Sequence, residues 1–357
     1  MTSLGLVLVA CIAGCTVPAV ANKAGAIGEP IVFRMANTGF DLSGNPAAAD
    51  FINRLSALSA GQMRVEVISS IGGFAPDNEA QVVHGVASGS FDFGVTGAGV
   101  FDSMGVLGLR ALSAPMLIDS YPLQKAVIES NLTRQILDQL QSLNLSGLAV
   151  FAGALHVPVA VQHPLLGPRD WSGISFGTYR SETYEQAIRA LGATPVEASG
   201  DLRRRYIDTG GIQGFEFGIR GYSLQEPYLS KAAPYITANV VLWPGVNVLF
   251  GNPARLGSIS AQDRQWLQEA LAAATRDSLG FVGDDGTYID QECALGSRFA
   301  MATEADIAGL QASFAIVYEW LDRDARTKFF IDQIQALRAS TSPGPPLAIP
   351  ASCLMRS

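Results

Sequence analysis

Asp170-Trp-Ser-Gly173-Ile-Ser-Phe-Gly177, then Ala190-Leu-Gly-Ala-Thr-Pro-Val196, then Ile207-Asp-Thr-Gly-Gly-Ile-Gln-Gly-Phe-Glu216 are the three segments on which the fold assignment turns. Residues 174–178 read as a strand and 183–191 as the helix after it. The same alternation extends outward. Residues 31–35 form an apolar first strand, and Ala48, Phe51, Ile52, Leu55 and Leu58 recur at helical spacing. Met63, Val65 and Val67 alternate with Arg64 and Glu66 at the period of a strand. Gly72-Gly73 breaks the chain before a helix that Asp77 or Asn78 can cap, with Val82, Val83 and Val86 on its apolar face. Residues 91–96, 148–151 and 157–161 read as further strands, and the apolar run 240–250 as a crossing between domains. Trp266, Leu267, Ala270, Leu271 and Ala274 mark a long helix with Ser260 as its N-cap, and 305–339 read as helical throughout. Strand and helix alternating in this way imply βαβ units and a mainly parallel sheet.

Bulk properties narrow the function. A chain of 357 residues, 48% hydrophobic and 16% charged, is an ordinary folded protein with room for two domains. A net charge of −8 argues against a nucleic-acid partner, which calls for clustered Lys and Arg. The three histidines, His84, His156 and His163, stand in no metal-binding or catalytic motif, and no nucleophile has an adjacent base. No cofactor, metal site or enzymatic activity is therefore expected.

The first 21 residues read as a leader. Residues 4–13 are apolar but too short to span a bilayer, and Ile12-Ala13-Gly14 before Cys15 has the form of a lipobox. Lipidation of Cys15 would tether the protein at a membrane; simple secretion with cleavage after Ala21 is the other possibility. No Lys or Arg precedes Cys15, so either the positive region usual in leaders is absent or the true start lies further upstream. Cys293 and Cys353 remain in the mature chain, either as one disulfide or as two unpaired thiols.

The opening segments resemble those of the extracytoplasmic solute receptors of tripartite ATP-independent periplasmic (TRAP) transporters, solute-binding protein family 7. Gly61-Gln-Met-Arg-Val-Glu-Val67, residues 79–92 and Ala114-Pro-Met-Leu-Ile118 extend the resemblance in the same order, so that it covers about residues 31–338. It implies an α/β, two-lobed periplasmic-binding-protein fold with hinge-crossing strands and a long domain-spanning helix. The expected division is 31–153 plus 244–282 for one lobe, 154–243 plus 283–338 for the other, and 339–357 as a tail. It also implies cleft closure around a small organic molecule, by family norm an organic acid, and delivery to TRAP membrane subunits from a periplasmic or extracytoplasmic, membrane-anchored position.

The pattern departs from the family at the ligand. The strand arginine that pairs with a substrate carboxylate falls on Gly177, a second arginine falls near His156, and a polar residue falls on Phe217. A bidentate guanidinium contributes two charge-assisted hydrogen bonds of about 1.5–3 kcal/mol each, so its loss costs on the order of a hundredfold in affinity for an acid. Either Arg180 or Arg34 replaces it, or the ligand is neutral or bulkier. Arginine restored at position 177 is expected to raise acid affinity if the cleft is otherwise conventional. The candidate ligand-binding residues are Asn37, Gly97, His156, Gly177, Arg180, Phe215, Glu216, Phe217 and Asn252. Four of these carry a second explanation: Glu216 as a hinge residue, Asn252 as part of a capping turn before Pro253, His156 as a residue of the strand it sits on, and one of the two phenylalanines as core. Arg203-Arg-Arg205 reads as a solvated basic run. A tethered ligand sensor for a membrane signalling partner is the alternative role.

Overall fold

The structure, a computed structural model, describes residues 29–355 apart from 74, 226–227 and 284. The expected leader and Cys15 lie outside the described residues. Among the described residues twelve strands build two sheets: β1 (Ile31–Ala36), β2 (Met63–Ile68), β3 (Phe93–Gly97), β4 (Ser146–Phe151), β5 (Leu155–Ala160), β6 (Ser175–Thr178), β7 (Thr194–Glu197), β8 (Gly214–Gly218), β9 (Tyr235–Thr237), β10 (Trp243–Pro244), β11 (Asn247–Gly251) and β12 (Arg298–Ala300).

The first sheet has the order β2-β1-β3-β11-β4, and the second β12-β9-β5-β8-β6-β7 with β10 beside β5. Strand β1 is parallel to β2 and β3, as the βαβ pattern predicts, whereas β11 enters antiparallel between β3 and β4. In the second sheet β6 is parallel to β7 and β8, while β5 runs antiparallel to β8 and β9. The chain crosses between the sheets at 152–154, from β4 to β5, and at 245–246, from β10 to β11. The mixed α/β fold with two hinge-crossing strands is the one the sequence predicts.

One hydrophobic cluster joins the two halves. It holds Val82, Phe101 and Phe250 from the side of the first sheet, with Phe176, Tyr184 and Trp243 from the second. A second cluster packs Phe33, Phe51 and Phe93 under the first sheet, and a third packs Phe215, Phe217 and Phe299 under the second. The long helix Ala261–Val282 is capped by Ser260, whose hydroxyl accepts from the Asp263 amide at 3.1 Å. It lies on the Pro46–Leu58 helix and reaches the crossing, where the Ser278 hydroxyl accepts from the Ala152 amide at 3.0 Å. None of the described helices is long and apolar enough to cross a membrane.

Two expectations change. Residues 305–339 are not one helix but three, Glu304–Ser313, Ala315–Leu321 and Ala325–Ser340. The last break occurs because Asp324 caps a new helix, accepting the Thr327 amide at 2.7 Å. That last helix packs on 107–112 and Tyr121–Glu129, so it lies with the first lobe, whereas the sequence-based division put it in the second. The tail then returns to the second sheet. Cys293 and Cys353 form a disulfide, and beside it the Phe299 amide donates to the Cys353 carbonyl at 2.9 Å while the Met355 amide donates to the Phe299 carbonyl at 2.7 Å.

Candidate ligand cleft

A cavity of about 650 Å³ opens between the sheets, at the ends of β3, β6 and β8 and beside both crossings. The first lobe contributes the loop 38–47, Glu79, Gly97 and Gly99. The crossings contribute 151–154 and 245–247, and the second lobe His156, Tyr179, Arg180, Tyr184, 199–201, Arg203, Arg204, 217–218 and 220–221. Four of the candidate residues named from the sequence line it: Gly97, His156, Arg180 and Phe217.

The other five do not line it, each for a physical reason. Asn37 is buried, and its amide donates to the Gly39 and Asp41 carbonyls at 3.2 and 2.7 Å, so it shapes the loop that lines the cleft. Asn252 caps Pro253–Gly257, accepting the Arg255 amide at 3.1 Å and donating to the Val86 carbonyl at 2.9 Å. Glu216 is buried behind His156 and accepts from its Nδ1, with Thr178 Oγ1 at 3.4 Å from the other carboxylate oxygen. Phe215 lies in the core of the second lobe. Residues two apart in a strand share a face, so Phe215 and Phe217 both belong to that cluster, with Phe217 nearer the cleft.

Gly177 is paired in register with Phe215, and a Cβ there would meet Ile212 Cδ1 at 2.9 Å, Phe215 Cβ at 3.3 Å and Ala198 Cβ at 3.4 Å. This position faces packed apolar side chains and not the cavity. Arg34 is also remote: it donates to the Ser90 carbonyl at 3.0 Å and lies outside the cleft lining. Arg180 is at the rim, 45% exposed, with Glu197 3.6 Å away.

The sequence reasoning missed the most buried guanidinium among the described residues. Arg203, expected on a solvated face, is 2% exposed and lines the cavity. Its Cζ stands 4.3 Å from the Phe217 ring centre and 5.3 Å from that of Phe215. The signal was present: Arg203 and Ile207 are four apart and share the buried face of Gly200–Asp208. Phe217 in turn stacks against His156 with ring centres 6.3 Å apart. Arg204 and Arg220 complete a set of four arginines on the second-lobe wall.

Opposite them, the Glu79 carboxylate accepts the Gly97 amide at 2.8 Å. Burial pushes its pKa up from 4.5 to about 7, against the opposing effect of that hydrogen bond. Tyr184 stacks on Trp243 with ring centres 4.2 Å apart, and burial raises its phenol well above the ordinary range. Among the described residues no group of three or more His, Cys, Asp or Glu is placed to hold a metal ion.

The lobes touch at a second polar centre. Buried Asp102 of the first lobe accepts from Ser181 Oγ at 3.1 Å, the Thr183 amide at 2.7 Å and Thr183 Oγ1 at 2.8 Å, all of the second. Arg110 pairs with Asp102 and reaches across to Glu182, with its guanidinium 4.1 Å from the Trp320 ring centre.

Two α/β lobes, joined by crossing strands around a deep, arginine-walled cleft, define a two-lobed binding protein. Residues 41–321 match the family described as bacterial extracellular solute-binding protein, family 7, and the chain belongs to that family. It is 21% identical over 273 residues to the C4-dicarboxylate-binding periplasmic protein of Rhodobacter capsulatus, covering 76% of this chain and 80% of that one. Among solved structures it is similar to the sugar acid binding protein of Advenella mimigardefordensis in complex with galactonate: TM-score 0.77, 17% identity, 88% of this chain and 99% of that one. It is also similar to a TRAP periplasmic solute binding protein of Chromohalobacter salexigens with bound D-glucuronate: TM-score 0.76, 19% identity, 85% and 99% coverage.

Proposed function

We propose that this chain is an extracytoplasmic receptor that captures a small organic acid by cleft closure and hands it to a TRAP-type membrane transporter, without chemical turnover. The observation that carries this is the cleft wall: among the described residues Arg180, Arg203, Arg204 and Arg220 line one cavity, with the carboxylates of Asp41, Glu79 and Asp201. Glu79, with a pKa near 7, offsets less positive charge than an ordinary carboxylate would. Such a wall favours an anion, and a guanidinium removed from water attracts it more strongly than one in bulk solvent. The acid-bound structures of the same fold are consistent with this role.

Lipidation at Cys15 would hold the receptor beside its transporter, and mass spectrometry of the mature N-terminus reads this directly. The ligand class is tested by calorimetric titration with D-galacturonate, D-galactonate and pantoate, set against neutral D-galactose. Binding of at least one acid with no binding of the neutral sugar is expected. Binding of D-galactose alone would overturn the proposal in favour of a neutral ligand.

A further inference from the structure

We propose that the acid enters this cleft together with a proton, which Glu79 holds while the ligand is bound. The proposal rests on the receptor reading above and adds what makes capture depend on pH. Glu79 lies in the first turn of the helix Asn78–Ala87, and its carboxylate lines the cavity at the end of β3. The Gly97 amide donates to its Oε1 at 2.8 Å. A Cβ on Gly97 would stand 3.3 Å from Oε1 and 3.8 Å from Oε2, so the bare glycine lets the carboxylate lie against the strand.

Three carboxylates lie near the buried Tyr184 phenol, those of Glu216, Glu79 and Asp102. Glu216 has His156 beside it, and Asp102 has Arg110. Glu79 forms no ion pair among the described residues, and the Gly97 amide is its hydrogen-bond partner. A carboxylate withdrawn from water without a counter-charge is eased by a proton, and burial accordingly lifts its pKa to about 7. The elements that pack on its helix bring no cation to it: Arg34 of β1 turns to the Ser90 carbonyl, and β3 carries no charged residue. Across the cavity stand Arg180, with Glu197 3.6 Å from it, then Asp201, Arg203 and Arg204 of Gly200–Asp208, and Arg220. Asp41 and His156 are the other titratable groups of the lining, with Tyr184, whose phenol burial keeps neutral. The arginines draw an anion in. Once seated, it is a second negative charge in one enclosed space with Glu79, so the carboxyl holds its proton more tightly than in the empty cleft. By linkage the acid binds best where Glu79 is already protonated, and affinity is lost as pH rises through about 7.

The test is calorimetric titration of wild type and Glu79→Gln with D-galacturonate, D-galactonate and pantoate, from about pH 6 to pH 8, in buffers of different ionisation enthalpy. These acids stay ionised throughout that range, so the ligand itself contributes no slope. Wild type is expected to take up almost no proton at pH 6 and a large fraction of one at pH 8, while affinity falls about fivefold over the same interval. Glu79→Gln removes the uptake and flattens the profile, which a loss of packing alone would not do. If that variant does not fold, the uptake by wild type decides. Acid binding by wild type without proton uptake at pH 8 would overturn the proposal and leave the receptor reading intact. Uptake that persists in Glu79→Gln would place the proton elsewhere in the lining and overturn it as well. Failure of wild type to bind any of the acids would overturn both.

Discussion

A Cβ built on Gly153 would lie 1.6 Å from the carbonyl oxygen of Gly245. The two crossing segments therefore touch backbone to backbone at the pivot between the lobes. Only residues without side chains allow this approach. Gly153→Ala is expected to destabilise the protein by at least about 1–3 kcal/mol, the ordinary cost of overpacking, because backbone and not a flexible side chain must yield. Thermal unfolding followed by circular dichroism measures it, and an unchanged midpoint would contradict so close a crossing.

Asp102 links the lobes at a second point, and its removal leaves Arg110 buried without its nearest counter-charge. Asp102→Ala is expected to cost about 3–5 kcal/mol, the range for breaking a buried ion pair from one side. Chemical denaturation of wild type and variant supplies the comparison. A loss below about 1 kcal/mol would mean that the pair is relaxed in solution.

Glu79 gives a pH dependence with a defined sign. Its folded pKa, about 7, is above its ordinary 4.5, so the folded state holds the proton more tightly than the unfolded chain does. Stability from this group is greatest below about pH 4.5 and declines as pH rises to about 7, with little change beyond. Glu79→Gln removes that slope. The difference in melting temperature between wild type and variant, followed from pH 4 to 8, should change through this window; a difference independent of pH would show that Glu79 titrates normally.

The Cys293–Cys353 disulfide closes a separation of 60 residues. Removing it by Cys353→Ser is expected to lower stability by about 2–4 kcal/mol. Melting with and without reductant checks this, since wild type under reductant should approach the variant.

Arginine at position 177 is expected to harm the fold and not to raise acid affinity, contrary to what the sequence alone suggested. The new side chain would start among Ile212, Phe215 and Ala198. A lower melting temperature for Gly177→Arg, with no gain in D-galacturonate affinity, is the expected pair of results.

Much of the architecture was legible because it rests on local periodicity. The alternation of Met63, Val65 and Val67 produced β2, and the apolar spacing after Ser260 produced the long capped helix. The cleft was half legible. Gly97, His156, Arg180 and Phe217, chosen from strand ends and family spacing, line the cavity, whereas Asn37 and Asn252 do not, because an asparagine that satisfies backbone groups looks in sequence like one that meets a ligand. Arg203 was missed because a run of three arginines suggests solvent, and only the helical phase relative to Ile207 separates the inward one from its neighbours. The mistaken extent of the last helices has a similar origin: Asp324 begins a new helix where apolar spacing shows no interruption.

The route of the chain after Ala325–Ser340 has a mechanical effect. That helix rests on the first lobe, Gly344 runs near Pro122, and Leu347, Ile349 and Cys353 are embedded in the second. With its end fastened to Cys293, this segment connects the two halves along a further path, and any opening of the mouth has to be accommodated along it. Reductants would therefore alter the reach of the swing as well as the melting point, so affinities recorded with and without them describe differently tethered jaws.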